Sequence, residues 1–335
     1  MRSQISSLRP VLAMFTKKVN IALLFTALAN CIFCSSCQRS CEPFKPNICY
    51  YPPPCLIESR PSAFTPLTAE ECKSDWGKEI RLAYAFGKQQ DFYRAITGFK
   101  SALVFLPKNK LERKMQIEYG IIQSYYLGCK YRDAIEYFEG CELLYAPKDF
   151  PAYHDLLILL YDAYLKIDNE EKACNMLGVI NQEYPNEANT LILSKGFLDG
   201  DIPNIKEAAQ CSPDKEEIDC FINEYLSVSK DERRAQVYQA LLPGAGYLYV
   251  GQKDAARTSF LINLLFTWAA YQFFDRGYIA AGIITASLEA GWYFGGINGA
   301  RLEAREFNER LFGVNGREFM RCHGYFPILM LETTF

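Results

Sequence analysis

Apolar residues recur at steps of three and four positions between Lys78 and Pro185, which is the spacing of one face of an α-helix. The pattern occurs in three copies, and each copy contains two apolar groups separated by a short polar turn. The second group begins with a small residue, Ala95, Ala134 or Ala173, and these alanines are 39 residues apart. A fixed period of this length predicts a stacked array of helical hairpins.

Turns and prolines define the expected helix ends in each copy. Polar or glycine-containing turns at residues 88–91, 128–130 and 168–169 divide every copy into two helices. Each second helix is expected to end at a proline, because proline lacks the backbone N–H and clashes with the preceding turn. The three prolines are Pro107, Pro147 and Pro185.

The order of small, aromatic, small and proline residues resembles the tetratricopeptide repeat over about a third of the chain, with Leu177 replacing the aromatic residue in the third copy. The period is longer than the roughly 34 residues usual in that family. The resemblance implies an all-α array in which the first helices form a concave face for a protein or peptide partner. The residues expected to line this face are Arg81, Tyr84, Glu118, Gln123, Tyr153 and His154. The alternative interpretation of the fold is a plain α-helical bundle. The alternative interpretation of each of the six residues is an ordinary solvated helix surface.

Two longer apolar stretches lie nearer the end of the sequence. Residues 258–274 contain no charged residue, and residues 278–300 contain only Glu289. Each stretch approaches the ~20 residues that cross a bilayer as a helix. The pattern therefore predicts an apolar two-helix hairpin, with Glu289 turned toward the partner helix because a carboxylate facing lipid is costly.

Small residues on the second stretch indicate where its helix packs. Gly291, Gly295 and Gly299 are four residues apart and share one helix face. Such a row lets two helices approach closely in lipid. These glycines and Glu289 are therefore the candidate packing residues of the hairpin.

The segment Pro243-Gly244-Ala245-Gly246-Tyr247, which precedes this hairpin, resembles the start of the TM2-like family of membrane hairpins over about 60 residues. The resemblance implies membrane association, but it implies no particular catalytic activity. The alternative interpretation is a buried helical hairpin in a soluble domain.

Composition limits the function classes. Half of the 335 residues are apolar and the net charge is −3, so the chain has no general basic character for binding nucleic acid. The only histidines are His154 and His323, which argues against a histidine-based metal site or catalytic triad. The spacing of Gly244, Gly246 and Gly251 differs from that of a dinucleotide-binding loop, and no nucleophile motif occurs. The sequence predicts neither an enzyme nor a cofactor.

The beginning of the sequence has the pattern of an export signal. Lys17 and Lys18 precede an apolar run over residues 21–29, which small residues and cysteines follow. Leu28-Ala29-Asn30-Cys31 resembles the lipobox of bacterial lipoproteins, and Ser35-Ser36-Cys37 is a second candidate. The sequence thus predicts export to a bacterial cell envelope, with Cys31 and Cys37 as lipidation candidates and membrane lipid as a partner.

The cysteines allow one alternative function. Cys31, Cys34, Cys37 and Cys41 have the spacing of a bacterial ferredoxin run, which would indicate an iron–sulfur electron carrier. The position of Cys31 at the end of an export segment disfavours this interpretation. No second cysteine run accompanies the first.

Residues 42–71 are rich in proline, which favours extended polyproline structure. We interpret them as a linker between an anchored N-terminus and the repeats. Cysteines in or beside this stretch could pair in three ways in an exported chain, and the sequence does not choose among them. They are Cys41, Cys49, Cys55 and Cys72.

Together these patterns predict an all-α protein with five regions. They are an export signal over residues 1–41, a linker over 42–71, a helical repeat domain over 72–228, an apolar hairpin domain over 229–312 and a tail over 313–335. The predicted function is a non-catalytic, envelope-anchored scaffold for protein–protein interaction. The main alternative is a subunit of a membrane complex that acts through the hairpin at residues 243–300.

Overall fold

The structure, a computed structural model, describes residues 44–335. Within that range the secondary structure is helical and contains no β-strand, as the sequence predicts. The export signal predicted over residues 1–41, the lipidation candidates Cys31 and Cys37 and the four-cysteine run lie outside the described residues. They remain predictions from the sequence.

The α-helices of the described residues are α1 (Pro54–Ser59), α2 (Asp75–Lys88), α3 (Phe92–Phe105), α4 (Leu111–Leu127), α5 (Tyr131–Glu139), α6 (Tyr153–Lys166), α7 (Glu170–Glu183), α8 (Pro185–Asp199), α9 (Ile202–Ala209), α10 (Lys215–Val228), α11 (Glu232–Leu241), α12 (Ala245–Val250), α13 (Lys253–Asp275), α14 (Ile279–Cys322) and α15 (Pro327–Met330). Short 3-10 helices occur at Glu71–Lys73 and Glu142–Tyr145.

The described chain divides into two compact units. The repeat unit contains residues 46–224 and 313–335. The second unit contains residues 44–45 and 225–312, and we call it the hairpin unit after the apolar hairpin predicted for it, which stays a prediction. The repeat unit has two large apolar clusters on its helices. The hairpin unit has a small core of Ala235, Val250, Ala300 and Ala304.

Three helical hairpins follow one another in the repeat unit, formed by α2 with α3, α4 with α5, and α6 with α7. Ala95, Ala134 and Ala173 lie in the second helix of each pair and are all buried. A small side chain at this position lets the second helix approach its neighbours closely. The first helix of each pair ends at or within two residues of its predicted turn. Helices α3 and α7 end two residues before Pro107 and Pro185, whereas α5 ends at Glu139, eight residues before Pro147, and a 3-10 helix follows it.

The turns of the three hairpins share one geometry. Each contains a residue with left-handed backbone, with φ of 60° at Gln90, 57° at Cys129 and 59° at Asp168. The next residue donates its N–H to a carbonyl five residues earlier, which closes the first helix in the manner of a Schellman motif. These bonds join Asp91 to Phe86, Lys130 to Tyr125 and Asn169 to Tyr164, at 2.9, 2.8 and 3.0 Å.

Glycine should stabilise these turns. Left-handed backbone costs an ordinary residue roughly 1–2 kcal/mol, and the greater freedom of an unfolded glycine offsets part of the gain. We therefore expect Asp168→Gly to raise the free energy of unfolding by about 0.5–1 kcal/mol, measured by urea denaturation. The control Asn175→Gly, in the exposed middle of α7, should lower it by about the same amount. A loss of stability in Asp168→Gly would contradict the turn assignment.

A fourth hairpin, formed by α8 and α9, follows the three repeats. Gly200 adopts the left-handed conformation with φ of 67°, and the N–H of Asp201 bonds to the carbonyl of Gly196 at 2.9 Å. Ile205 stands where the earlier hairpins have alanine, and it is fully buried. The fourth hairpin thus has the same turn geometry as the three repeats, but it lacks their 39-residue spacing and their small residue.

Residues 46–70 do not form the separate linker predicted over residues 42–71. Ile57 is buried in the apolar cluster of the first hairpin, and the ring of Phe64 lies 5.7 Å from that of Tyr119. Arg113 donates to the carbonyl of Thr65 at 2.8 Å. The prolines limit helix to the short α1, but the intervening apolar side chains bury themselves against the repeats. Cys49, Cys55 and Cys72 carry free thiols.

The tail predicted over residues 313–335 is also not a separate region. Helix α14 continues to Cys322, and the following residues pack within the repeat unit. The hydroxyl of Tyr325 donates to Asp214 at 2.7 Å. The guanidinium of Arg60 donates to the carbonyls of Ile328 and Leu329, both at 2.9 Å.

Gln239 organises the glycine motif of the hairpin unit. Its side-chain oxygen accepts the N–H groups of Gly244 at 2.9 Å and Gly246 at 3.3 Å, while its nitrogen donates to the Ser259 hydroxyl at 2.9 Å. Gly244 has φ of 94°, and a Cβ there would lie 2.4 Å from the carbonyl oxygen of Ala256. Close backbone contact explains the glycine at this position.

Candidate functional site

Residues Leu331–Phe335 form an extended segment that is held by side chains of the repeat helices; we call it the docked segment. Its main anchor is Asp155 on α6, which is only 1% exposed. One carboxylate oxygen accepts the N–H of Glu332 at 2.9 Å, and the other accepts the N–H of Thr333 at 2.8 Å as well as its hydroxyl. A single carboxylate therefore fixes two consecutive backbone groups.

Further hydrogen bonds hold the remaining backbone of the docked segment. The side-chain nitrogen of Gln123 donates to the carbonyl of Thr333 at 3.3 Å. The N–H of Thr334 bonds to the carbonyl of Pro61 at 3.0 Å, and its hydroxyl donates to the carbonyl of Ile57 at 2.6 Å. The site thus binds main-chain groups and two threonine hydroxyls.

Phe335 fills an aromatic pocket of the first hairpin and is 2% exposed. Its ring centroid lies 6.3 Å from those of Tyr84 and Phe92 and 6.4 Å from that of Phe99. Gly87 forms one wall, where a Cβ would lie 2.6 Å from the ring. The glycine therefore makes room for the ring, and the pocket selects a flat aromatic side chain.

The electrostatics of the Asp155 site favour its ionised form. Burial alone would raise the pKa of Asp155, but hydrogen bonds from His154, the Thr333 hydroxyl and the backbone of Glu332 and Thr333 outweigh it and lower the pKa. The hydrogen bond from His154 Nδ1 at 2.9 Å raises the pKa of His154 in turn, against the opposing effect of burial. A carboxylate beside an imidazolium is the stable pair.

These shifts predict a pH dependence. The lowered pKa of Asp155 gives stability that is present above about pH 4 and is lost as the pH falls through the folded value. The raised pKa of His154 gives stability that is complete below about pH 6.5 and is lost as the pH rises through its folded value. We expect His154→Gln to cost about 1 kcal/mol of unfolding free energy at pH 5.5 and less at pH 8.5, by urea denaturation. An equal cost at both pH values would contradict the pairing.

The six residues predicted to line the concave face separate into different environments. Tyr84, Gln123 and His154 belong to the site of the docked segment. Glu118 is buried and accepts the N–H of Glu142 at 3.1 Å, so it caps the 3-10 helix that begins there. Arg81 is exposed and Tyr153 is partly buried. The expectation of an open face is wrong at Glu118 and Gln123, because neighbouring segments of the chain cover these first helices.

Asp155, the main anchor of this site, was not predicted, and neither was Arg60, which holds the residues just before the docked segment. A signal for Asp155 exists in the sequence, since Asp155 and Asp162 are the only charged residues in the apolar stretch 155–164. Buried carboxylates need partners, and Asp162 receives the hydroxyl of Tyr126 at 2.7 Å. No local pattern marks Arg60, whose partners lie 268 and 269 residues away in sequence.

The hairpin unit presents a second feature, the outer face of α13. Its large apolar side chains are exposed, and its buried positions carry small or polar residues. The exposed residues are Phe260, Leu261, Leu264, Leu265, Trp268 and Tyr271, and the buried ones are Ala256, Ser259, Asn263 and Ala270. Helix α14 adds exposed apolar residues, including Ile284, Leu288 and Trp292. This distribution is the reverse of that in a water-soluble helix.

The predicted packing glycines differ from one another. A Cβ on Gly299 would lie 2.3 Å from the Tyr247 hydroxyl, so close contact occurs there. Among the described residues, nothing lies within 4 Å of a Cβ built on Gly291 or Gly295. These two glycines border a cavity of about 510 Å³ that Ser259 also lines. Glu289 is partly buried.

In residues 44–335, no helix combines the length and the apolar character needed to cross a membrane. The same residues contain no group of histidine, cysteine and acidic side chains placed to hold a metal ion.

The chain was compared with known proteins at the level of family, sequence and fold. No protein-family model matches it, and neither a curated protein nor a solved structure matches it significantly.

Proposed function

We propose that this protein is a non-catalytic scaffold of the bacterial cell envelope. In this proposal the repeat unit, a tetratricopeptide-like array, binds protein partners, and the hairpin unit attaches the chain to a membrane. The export signal and the lipidation candidates Cys31 and Cys37 support the envelope location.

The observation that carries the proposal is the docked segment. Asp155, Gln123 and the carbonyl of Pro61 hold an extended stretch of polypeptide by its main chain, and the pocket at Gly87 takes one aromatic side chain. Backbone hydrogen bonds for affinity and a side-chain pocket for specificity are the usual means of recognising an extended peptide. The repeats thus have the chemistry of a peptide-binding surface.

Membrane attachment is supported by the outer face of α13 and α14. Exposed apolar patches larger than a few hundred Å² mark interaction sites. Large apolar side chains of α13 and α14, among them Phe260, Trp268 and Trp292, are exposed. Polar Ser259 and Asn263 are buried on the opposite side of α13. An apolar solvent suits this arrangement better than water does, so lipid is the partner that we propose for this face.

Vesicle binding tests the proposed function directly. Full-length protein, purified in detergent and diluted below the micelle concentration, is mixed with vesicles of phosphatidylethanolamine and phosphatidylglycerol and then centrifuged. The proposal expects the folded protein in the lipid fraction. Folded protein that stays in the supernatant at all lipid concentrations would contradict it.

One observation favours the alternative function, a subunit of a membrane complex acting through residues 243–300. Two buried side-chain oxygens, Asn263 Oδ1 and Glu289 Oε2, have no hydrogen-bond partner among the described residues. In this alternative α13 and α14 separate within the complex, and a helix from another protein inserts between them and donates hydrogen bonds to these oxygens. In that case the double variant Asn263→Leu and Glu289→Leu should lose a partner during purification in mild detergent, whereas the scaffold function predicts unchanged co-purification.

A further inference from the structure

The docked segment contacts the repeats in a way that another polypeptide could reproduce. Its backbone N–H groups at Glu332 and Thr333 and the carbonyl of Thr333 are bound, and none of these contacts depends on the sequence. The sequence-dependent contacts are made by Leu331, the two threonine hydroxyls and Phe335, whereas the side chain of Glu332 is not buried. The site thus recognises the pattern Leu-x-Thr-Thr-Phe in an extended conformation.

We propose that the docked segment is a built-in competitor and that the same site binds a segment of this pattern from a partner protein. The inference rests on the proposed function of the repeat unit and specifies the partner. The chain's own residues provide the evidence for complementarity, because Leu331 and Phe335 are both buried and Asp155 has donors on both oxygens.

Covalent linkage explains how such a competitor works. A segment attached to its own site has an effective concentration in the millimolar range, so it excludes free ligands unless they bind more tightly or are held nearby. The left-handed Gly324, with φ of 70°, and the short α15 precede the docked segment and form the connection that an exchange would move. A partner protein concentrated at the same membrane would be held near the site and would therefore compete with the docked segment.

Peptide binding tests the proposal. The probe is a fluorescent peptide with the sequence of residues 331–335, and the proteins are the full chain and a chain that stops after Met330. We expect the shortened chain to bind the peptide at least tenfold more tightly than the full chain, by fluorescence anisotropy. A peptide with Thr333→Ala and Phe335→Ala should bind at least tenfold more weakly, and so should the wild-type peptide to a shortened chain with Asp155→Asn.

Folding of the shortened chain is checked by circular dichroism and thermal unfolding. If that chain is unstable, the proposal expects the peptide to raise its melting temperature in a concentration-dependent manner, because a ligand that binds only the folded state stabilises it. Absence of both binding and stabilisation would overturn the inference. A full-length dimer that exchanges the segment between copies, seen by light scattering, would also overturn it, since a second copy would then be the occupant. Neither result bears on the proposed membrane attachment, which vesicle binding tests separately.

Discussion

Replacing Phe335 by alanine is expected to lower the free energy of unfolding by about 3–4 kcal/mol. The ring is 2% exposed and lies among Tyr84, Phe92 and Phe99. Removing a buried phenylalanine loses its transfer free energy and leaves a cavity, which together cost ~3–5 kcal/mol in protein cores. We take the lower part of that range because the pocket lies at the end of an extended segment. Urea denaturation of the full chain measures the effect.

The matched control is Phe105→Ala. Phe105 lies in α3 of the same hairpin, but more than half of its side chain is exposed. The same chemical change should therefore cost less than about 1 kcal/mol. Similar costs for the two variants would contradict the burial of Phe335.

A second pair of variants locates the pocket. Gly87→Ala places a Cβ 2.6 Å from the Phe335 ring and should destabilise the wild-type chain, whereas Gly178→Ala has open space and should stabilise α7 by up to about 1 kcal/mol. The cost of Gly87→Ala should largely disappear when Phe335 is already alanine. Such non-additivity in a double-mutant cycle is the signature of direct contact.

Replacing Leu261, Leu264 and Leu265 together by serine is expected to weaken vesicle binding by about 30-fold or more. These side chains are 56–60% exposed on the outer face of α13. Burial of a leucine in an apolar medium is worth roughly 1.5–3 kcal/mol, so half of that for each of three gives about 2–4 kcal/mol. Each 1.4 kcal/mol is a factor of ten in affinity. Co-sedimentation over a range of lipid concentrations measures the change.

The control for this variant carries three serine replacements on the repeat unit. Leu82, Leu111 and Leu144 are 44–55% exposed, close to the values on α13. Their replacement changes the overall hydrophobicity equally and should leave vesicle binding within about twofold of wild type. An equal loss in both triple variants would show that binding is non-specific and would remove the proposed role of the hairpin unit.

Much of the repeat architecture follows from local sequence signals. The 39-residue spacing of Ala95, Ala134 and Ala173 reports a repeated close approach of helices, and the turn residues fall within a few positions of each alanine. Such contacts join neighbouring elements, so periodicity and turn chemistry reveal them. Further helices over residues 188–228 and a turn at Asp199-Gly200-Asp201 were expected from the sequence, but the fourth hairpin was not recognised as a copy of the repeat, because Ile205 replaces the alanine and the spacing shortens.

The docked segment could not be predicted because its contacts are remote in sequence. Thr333 and Asp155 are 178 residues apart, and Thr334 and Ile57 are 277 residues apart. Nothing in the composition of residues 331–335 shows that this segment docks onto other helices. The proline-rich stretch was misinterpreted for a related reason, since proline sets the local backbone but does not show whether Ile57 and Phe64 find a surface to cover.

The sequence predictions for the hairpin residues agree with the structure at some positions and differ from it at others. The lack of charge over residues 258–274 agrees with the apolar outer face of α13. Gly299 makes a close contact, but with Tyr247 of α12 and not with the partner helix α13. Gly291 and Gly295 share its helix face but border a cavity instead. A four-residue spacing identifies a common face of a helix, but it does not reveal how far along that face the partner extends.

Hydrogen exchange of the full chain tests the central claim, that the repeat helices bind an extended polypeptide segment. The amides of Glu332 and Thr333 donate to the buried carboxylate of Asp155, and we expect them to exchange at least a hundredfold more slowly than free peptide amides at pH 6. Asp155→Asn should reduce this protection while the amides of α4 stay protected. Exchange of residues 331–335 at the rate of an unstructured peptide in the folded wild-type chain would contradict the account.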